Sequence, residues 1–230
     1  MQVGVISDVH GNRVALAAVL SDMPAVDALI NAGDVVGYNP WPAECLAAMR
    51  TPHGSDLPVP VSEPVPSVIG NHDRAVASET AFGFNAMARA GVEHARQRLD
   101  EDAIEWLAGL PDERTLFDGR VRMVHGHPEN PDRYTYPREF HPGLLGDADV
   151  LVLGHTHVQH HEVYEEGVVM NPGSVGQPRD GDPRAAYAVL DLDDLAVEER
   201  RVEYDVGRVQ AAVTEAGLPE RIGRRLEQGR

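Results

Sequence analysis

At 230 residues, 42% hydrophobic and 25% charged, the chain is long enough to bury a sizeable core and too apolar for disorder to be its main state. Its 20 basic residues, all arginine, face 37 acidic ones; the net charge of −17 repels polyanions and disfavours binding to nucleic acid polymers. The single cysteine, Cys45, excludes an internal disulfide and fits a reducing cytoplasm, and no apolar run approaches the roughly 18 residues of a membrane span.

The N-terminal MQVGVISDVHGN lacks a basic n-region and a long apolar h-region, so no signal peptide is expected and the cytoplasm is the expected compartment. Residues 2–6 form a short β-branched run, the polar segment 7–11 follows, and an Ala/Leu-rich helical pattern covers 12–23. This strand-loop-helix grammar returns: 28–32 precedes GDVVGYNP, 65–69 precedes GNHD, 121–124 precedes HGH and 150–153 precedes GHTH. Helical patterns cover 41–49, 85–99 and 102–110, while 51–66 carries five of the 17 prolines and reads as an irregular surface insertion. After His161 the texture becomes antiparallel: a hairpin over 162–169 around Glu166-Gly167, then strands at 185–190 and 197–204. The charged tail, 206–230, reads as two helices divided at Gly217 and Pro219 and lying at an edge. No domain boundary is evident, so one α/β domain over 1–230 is expected, with its polar loops gathered at the carboxyl ends of the strands.

Those loops hold the chemistry. Asp8 and His10, Asp34, Asn71 and His72, His125 and His127, and His155 and His157 all sit at predicted strand ends. In an extended segment residues two apart face one side, so Asp8/His10 and His155/His157 could each present two ligands to one place. Carboxylate, imidazole and amide without thiolate suit first-row divalent ions, and the donors are too many for one tetrahedral ion. Two ions sharing a bridging carboxylate fit the count.

In order along the chain, DVH, GDVVG, GNHD, HGH and GHTH resemble the signature of the calcineurin-like metallophosphoesterases. NPGSVGQPRDGDPRAAYAVLD and the charged tail extend the resemblance to a small prokaryotic subgroup of phosphodiesterases labelled as related to diadenosine tetraphosphatases. The resemblance implies a four-layer α-β-β-α sandwich with two mixed sheets. It places Asp8, His10 and His157 on one metal, Asn71, His125 and His155 on a second, and Asp34 between them. His72 would assist at the leaving-group oxygen, with Asp73 orienting it. The implied activity is hydrolysis of phosphodiester or phosphoanhydride bonds in small phosphorylated molecules by metal-bound hydroxide. Two divalent ions (Mn, Fe, Ni, Co or Zn, with Mn favoured) would serve it. Protein phosphatase activity and a metal-free interaction scaffold of the same fold are the alternatives.

The other candidates carry weaker signals. His127 is read as adjacent to the ligands or exposed, and His160 and His161 as strand-surface residues. His53, His94 and His141 have no spacing argument. The turn-rich segment 171–179 is expected to wall the site, with Arg179 either a second-phosphate ligand or a structural clamp. Tyr38, Tyr134, Tyr136 and Phe140 could stack a base or anchor packing, and Cys45 is expected in the core. The oligomeric state is left open. An acidic, lysine-free surface is expected of a protein adapted to molar salt.

Overall fold

The structure is a computed structural model describing residues 1–78, 80 and 83–230. The first half builds β1 (Gln2–Ile6), α1 (Arg13–Asp22), β2 (Ala28–Asn31), α2 (Pro42–Arg50), α3 (Asn71–Ser78), α4 (Ala86–Arg98) and α5 (Glu101–Ala108). Seven strands and two helices follow: β3 (Glu113–Leu116), β4 (Val121–Val124), β5 (Val150–Val152), β6 (His160–Val163), β7 (Val168–Asn171), β8 (Ala185–Asp191), β9 (Ala196–Val202), α6 (Val206–Glu215) and α7 (Arg221–Leu226). Side-chain caps fix several helix starts: Asn12 accepts from Ala15 N, Asn85 from Met87 N and Ala88 N, and Asp100 from Ala103 N.

Two mixed sheets result, ordered β2-β1-β8-β9 and β3-β4-β5-β7-β6. Their inner faces meet in a dry layer that includes Val5, Ile30, Met123, Val152, Met170 and Leu190, all fully buried. The outer face of the first sheet carries the helices, through Leu16, Val19, Cys45, Met49 and Leu107. The outer face of the second is covered more thinly, by short 3-10 turns at Pro137–Glu139 and Pro142–Leu144 that lay Phe140, Leu144 and Leu145 over Leu151 and Val169. The layers run helix, sheet, sheet, cover. Among the described residues, no helix is long and apolar enough to cross a membrane.

Three local expectations are corrected. Residues 65–69 form no strand; they touch β2 through one bridge, Asn31 to Ser67, because Pro64 and Pro66 have no N–H to extend a ladder. The segment after them is helix α3, so Asn71, His72 and Asp73 occupy its first turn and not a loop. The Pro-rich stretch is partly docked, since Leu57 and Val65 pack into the core beneath the helices.

Both sheets position the site. Parallel β1 and β2 end beside parallel β4 and β5 of the facing sheet, and the next few residues of each are Asp8 and His10, Asp34, His125, and His155 and His157.

Candidate metal centre

Eight non-glycine residues among those described have φ between 50° and 67°, and five of them are Asp8, His10, Asp34, His155 and His157. Left-handed backbone is costly for such residues and gathers where function over-determines the conformation. The expected extended geometry is therefore replaced by left-handed turns, which split one pair: His157 joins Asp8 and His10, while His155 joins Asp34 and His125. A third grouping, His10, Asp34 and His72, overlaps both, and within each group the donor atoms lie within 4.8 Å of one another.

Five of the seven ligand candidates, Asp8, His10, Asp34, His125 and His157, are held from behind. His10 Nδ1 donates to the Val36 carbonyl (3.2 Å), His125 Nδ1 to Ala32 (2.7 Å) and His157 Nδ1 to Gln177 (2.6 Å), which leaves each Nε2 facing the cluster. Asp8 Oδ2 accepts from Ser7 Oγ (2.7 Å) and His155 N (3.1 Å), and Asp34 Oδ1 accepts from His72 N (2.8 Å). The other oxygens, Asp8 Oδ1 and Asp34 Oδ2, are buried and have no donor. Asp8 Oδ1 lies 3.1 Å from His157 Nε2, which is itself 3.1 Å from His10 Nε2. Asp34 Oδ2 stands 3.7 Å from His10 Nε2 and 3.4 Å from His125 Nε2. Asn71 Oδ1 is 3.3 Å from His125 Nε2.

Acceptors thus face acceptors in a buried space, which is stable only with positive charge among them. Ligand atoms around one ion at ~2.1 Å are separated by about 3.0–3.4 Å; the contacts here run from 3.1 to 3.7 Å, so the residues fit a divalent cation with a small inward shift at His10. The electrostatics agree. Burial opposes ionisation of Asp34, but His125 and His72 outweigh it and hold the carboxyl well below its usual range. Burial likewise opposes charge on His125, yet the Asp34 carboxylate prevails and lifts the imidazole to about 10. Burial lowers the pKa of His10, His72 and His155, His72 to about 4 and His155 to about 3.

The Asp73 side chain makes no direct contact with His72, so the expected orienting hydrogen bond is absent. The Asp73 carboxylate accepts from Val36 N (3.1 Å) and Gly70 N (3.2 Å), and His72 Nδ1 is enclosed without a partner. Consecutive residues of a helix point about 100° apart and cannot face each other. Burial, reinforced by Asp34, raises the Asp73 carboxyl to about 7.

Around the cluster, Tyr38 packs on His10 and His72 (centroids 4.9 and 4.6 Å), and Tyr134 stacks on His155 (3.9 Å). Phe140 is a packing anchor, and Tyr136 stacks behind Tyr134 at 6.0 Å. His127 is buried outside the groupings and accepts from Glu129 N; His160 and His161 lie on β6, paired with Glu162 and Glu199. His94 contacts the Pro40 carbonyl, and Cys45 is fully buried. The segment 171–179 does wall the site. Asn171 Nδ2 donates to Gly154 O and Thr156 Oγ1, Ser174 Oγ to Asp8 O, and Asn12 Nδ2 to Gly176 O. Ser7 and Asn12 are the supporting residues that sequence reasoning passed over, while Asn171, Ser174 and Gln177 lie within the turn-rich segment it expected to wall the site, without their individual partners.

Residues 1–195 match the calcineurin-like phosphoesterase superfamily domain. A metallophosphoesterase structure from Sphaerobacter thermophilus is 37% identical, covers 100% of this chain and 99% of its own, and superposes with a TM-score of 0.83. An uncharacterized protein of Methanocaldococcus jannaschii is 31% identical over 250 aligned positions, spanning 99% of this chain and 98% of that protein. The phosphodiesterase YfcE of Escherichia coli is 34% identical over 100 residues, 43% of this chain and 50% of its own. With the domain match spanning most of the chain, and with the clustered carboxylates and imidazoles in place, the chain belongs to the calcineurin-like phosphoesterase superfamily.

Proposed function

We propose that this chain is a dinuclear metal-dependent phosphoesterase acting on phosphodiester or phosphoanhydride bonds of small molecules. One observation carries the reading: Asp34 Oδ2, buried and without a donor, stands between His10 of one ligand group and His125 of the other. Asp8, His10 and His157 would hold one ion, Asn71, His125 and His155 the second, and Asp34 both. A pair of divalent ions supplies Lewis acidity toward the phosphoryl oxygens and lowers the pKa of a bound water. Mn is favoured among the first-row ions that such oxygen and nitrogen donors accept.

The chain's own residues supply the rest. His72 is neutral near pH 7 because burial lowers its pKa to about 4, so it serves the leaving oxygen as a hydrogen-bond donor. Asp73 positions it through the backbone, tying Val36 to Gly70 across the entry to α3. Tyr38 and Tyr134 shield the His10/His72 and His155 faces of the cluster from water.

The test is hydrolysis of bis(p-nitrophenyl) phosphate and p-nitrophenyl phosphate with and without Mn²⁺, beside calorimetric metal titration. Native chain is expected to take up two ions and to turn over the diester only with metal. Asp34→Asn and His72→Ala should each reduce turnover about a hundredfold or more, and only Asp34→Asn should weaken metal uptake. A folded native chain that binds one ion, or none, defeats the dinuclear reading.

A further inference from the structure

In a chain of net charge −17, one depression is lined by arginines and holds no carboxylate side chain: about 520 Å³, formed by Arg221, Arg224, Arg225 and Arg230 with Asn85 and Met87 of the α4 start. Its position is set by packing. Ile222 and Leu226 of α7 are fully buried against a cluster that includes Tyr38 and Ala88, and this turns the neighbouring side chains toward the rim. Arg221 and Arg225, four apart, share one helix face. Arg225 is half-buried, reaches toward the Tyr38 hydroxyl and lies near enough to Arg179 for the two charges to repel. Arg179 Nη2 meets that hydroxyl at 3.3 Å, and its charge also bears on His72 and His157. Tyr38 in turn packs on His10 and His72, so the arginines begin where the candidate metal centre ends.

Among the described residues, Arg224 is paired with Glu220, but Arg179, Arg221 and Arg225 have no aspartate or glutamate partner. Arg225 Nε donates to the Arg230 main-chain oxygen (2.7 Å) and Arg179 to Gln177 Oε1 (2.7 and 3.1 Å), which leaves guanidinium N–H groups beside the buried Tyr38 with no carboxylate side chain to meet, and guanidinium geometry matches phosphate oxygens. The volume lies in the range of small-ligand sites. These residues, Arg179 apart, also lie beyond the superfamily match, which ends at residue 195.

We propose that Arg179, Arg221 and Arg225 form a distal anion subsite, which makes the preferred substrate a small molecule carrying at least one phosphate beyond the one attacked. The placement rests on the phosphoesterase reading; the binding does not. Inorganic tripolyphosphate and orthophosphate are therefore titrated calorimetrically into chelator-treated full-length protein, at the lowest salt that keeps it folded. Native chain should bind tripolyphosphate at least tenfold more tightly than orthophosphate, and Arg225→Ala should erase that preference. Arg221→Glu, at an exposed side chain, should do the same and keeps the test decisive if Arg225→Ala misfolds. With Mn²⁺ in excess, tripolyphosphate should also inhibit bis(p-nitrophenyl) phosphate hydrolysis competitively, with the same loss in the variants. Equal affinity for the two anions, or variants that bind like native, overturns the subsite. Tight binding without competition overturns its link to the catalytic centre. Absence of any Mn²⁺-dependent hydrolysis counts against the phosphoesterase reading alone, since the metal-free titration is unaffected by it.

Discussion

Asp8 and Asp34 divide their oxygens in the same way: one accepts from the protein and the other is kept for the cluster. For Asp8 the division depends on Ser7, whose hydroxyl donates to Oδ2 at 2.7 Å, and on His155 N. Ser7→Ala removes a donor and lets the carboxylate rotate, so the affinity for Mn²⁺ should drop 10- to 100-fold; calorimetric titration showing native affinity would contradict this account. Gly70 makes a different demand. A Cβ there would run into the Asp34 side chain and its backbone nitrogen, neither of which is the free end of a flexible chain. Gly70→Ala should therefore displace Asp34 and cut diester hydrolysis about a hundredfold or more, while Gly54→Ala, where a Cβ meets only Thr51 Oγ1 at 3.9 Å and φ is not left-handed, serves as the control.

At the scale of elements, α2 shows how burial becomes a titration property. Cys45 is fully buried in the core, and burial, helped by Glu44, pushes its thiol well above 9.0. The folded chain then keeps a proton that the unfolded chain releases above its ordinary pKa, so stability falls as pH rises through about 9. Between pH 8 and 10 the native chain should lose ~1.4 kcal/mol more than Cys45→Ala in denaturant melts, and iodoacetamide should label Cys45 only on unfolding; ready labelling of folded protein at pH 9 refutes the burial argument. The elements differ in how legible they were. β1, α1 and β8 follow from unbroken periodicity and a polar stop. The failure at 65–69 has a local cause, because β-branched residues suggested a strand while two prolines withheld its donors. β3 was missed because ERTL, exposed and half-buried in alternation, has almost no apolar face to read. α3 was hidden because its first turn is made of the polar GNHD residues themselves.

The whole molecule brings two sheets together at one rim, and the ligand types were readable there because their order along the chain follows strand ends. The individual bonds of the supporting shell were not readable, since Asn12, Asn171 and Ser174 reach partners 164, 17 and 166 positions away; only the turn-rich composition of 171–179 marked part of it in advance. Charge is the other property of the whole. Seventeen excess negative charges, with arginine as the only basic side chain, raise the free energy of the compact state by self-repulsion. Salt acts on two opposed quantities. It weakens exposed pairs such as Arg184–Asp182 and Arg224–Glu220, which contribute little individually, and it also screens the net repulsion, whose range shrinks to about 3 Å at 1 M. Because the repulsive pairs outnumber the paired ones, screening should win, and the melting temperature should climb between 0.1 and 2 M KCl. A steady fall across that range would mean that the ion pairs dominate and that the acidic surface is not an adaptation to salt.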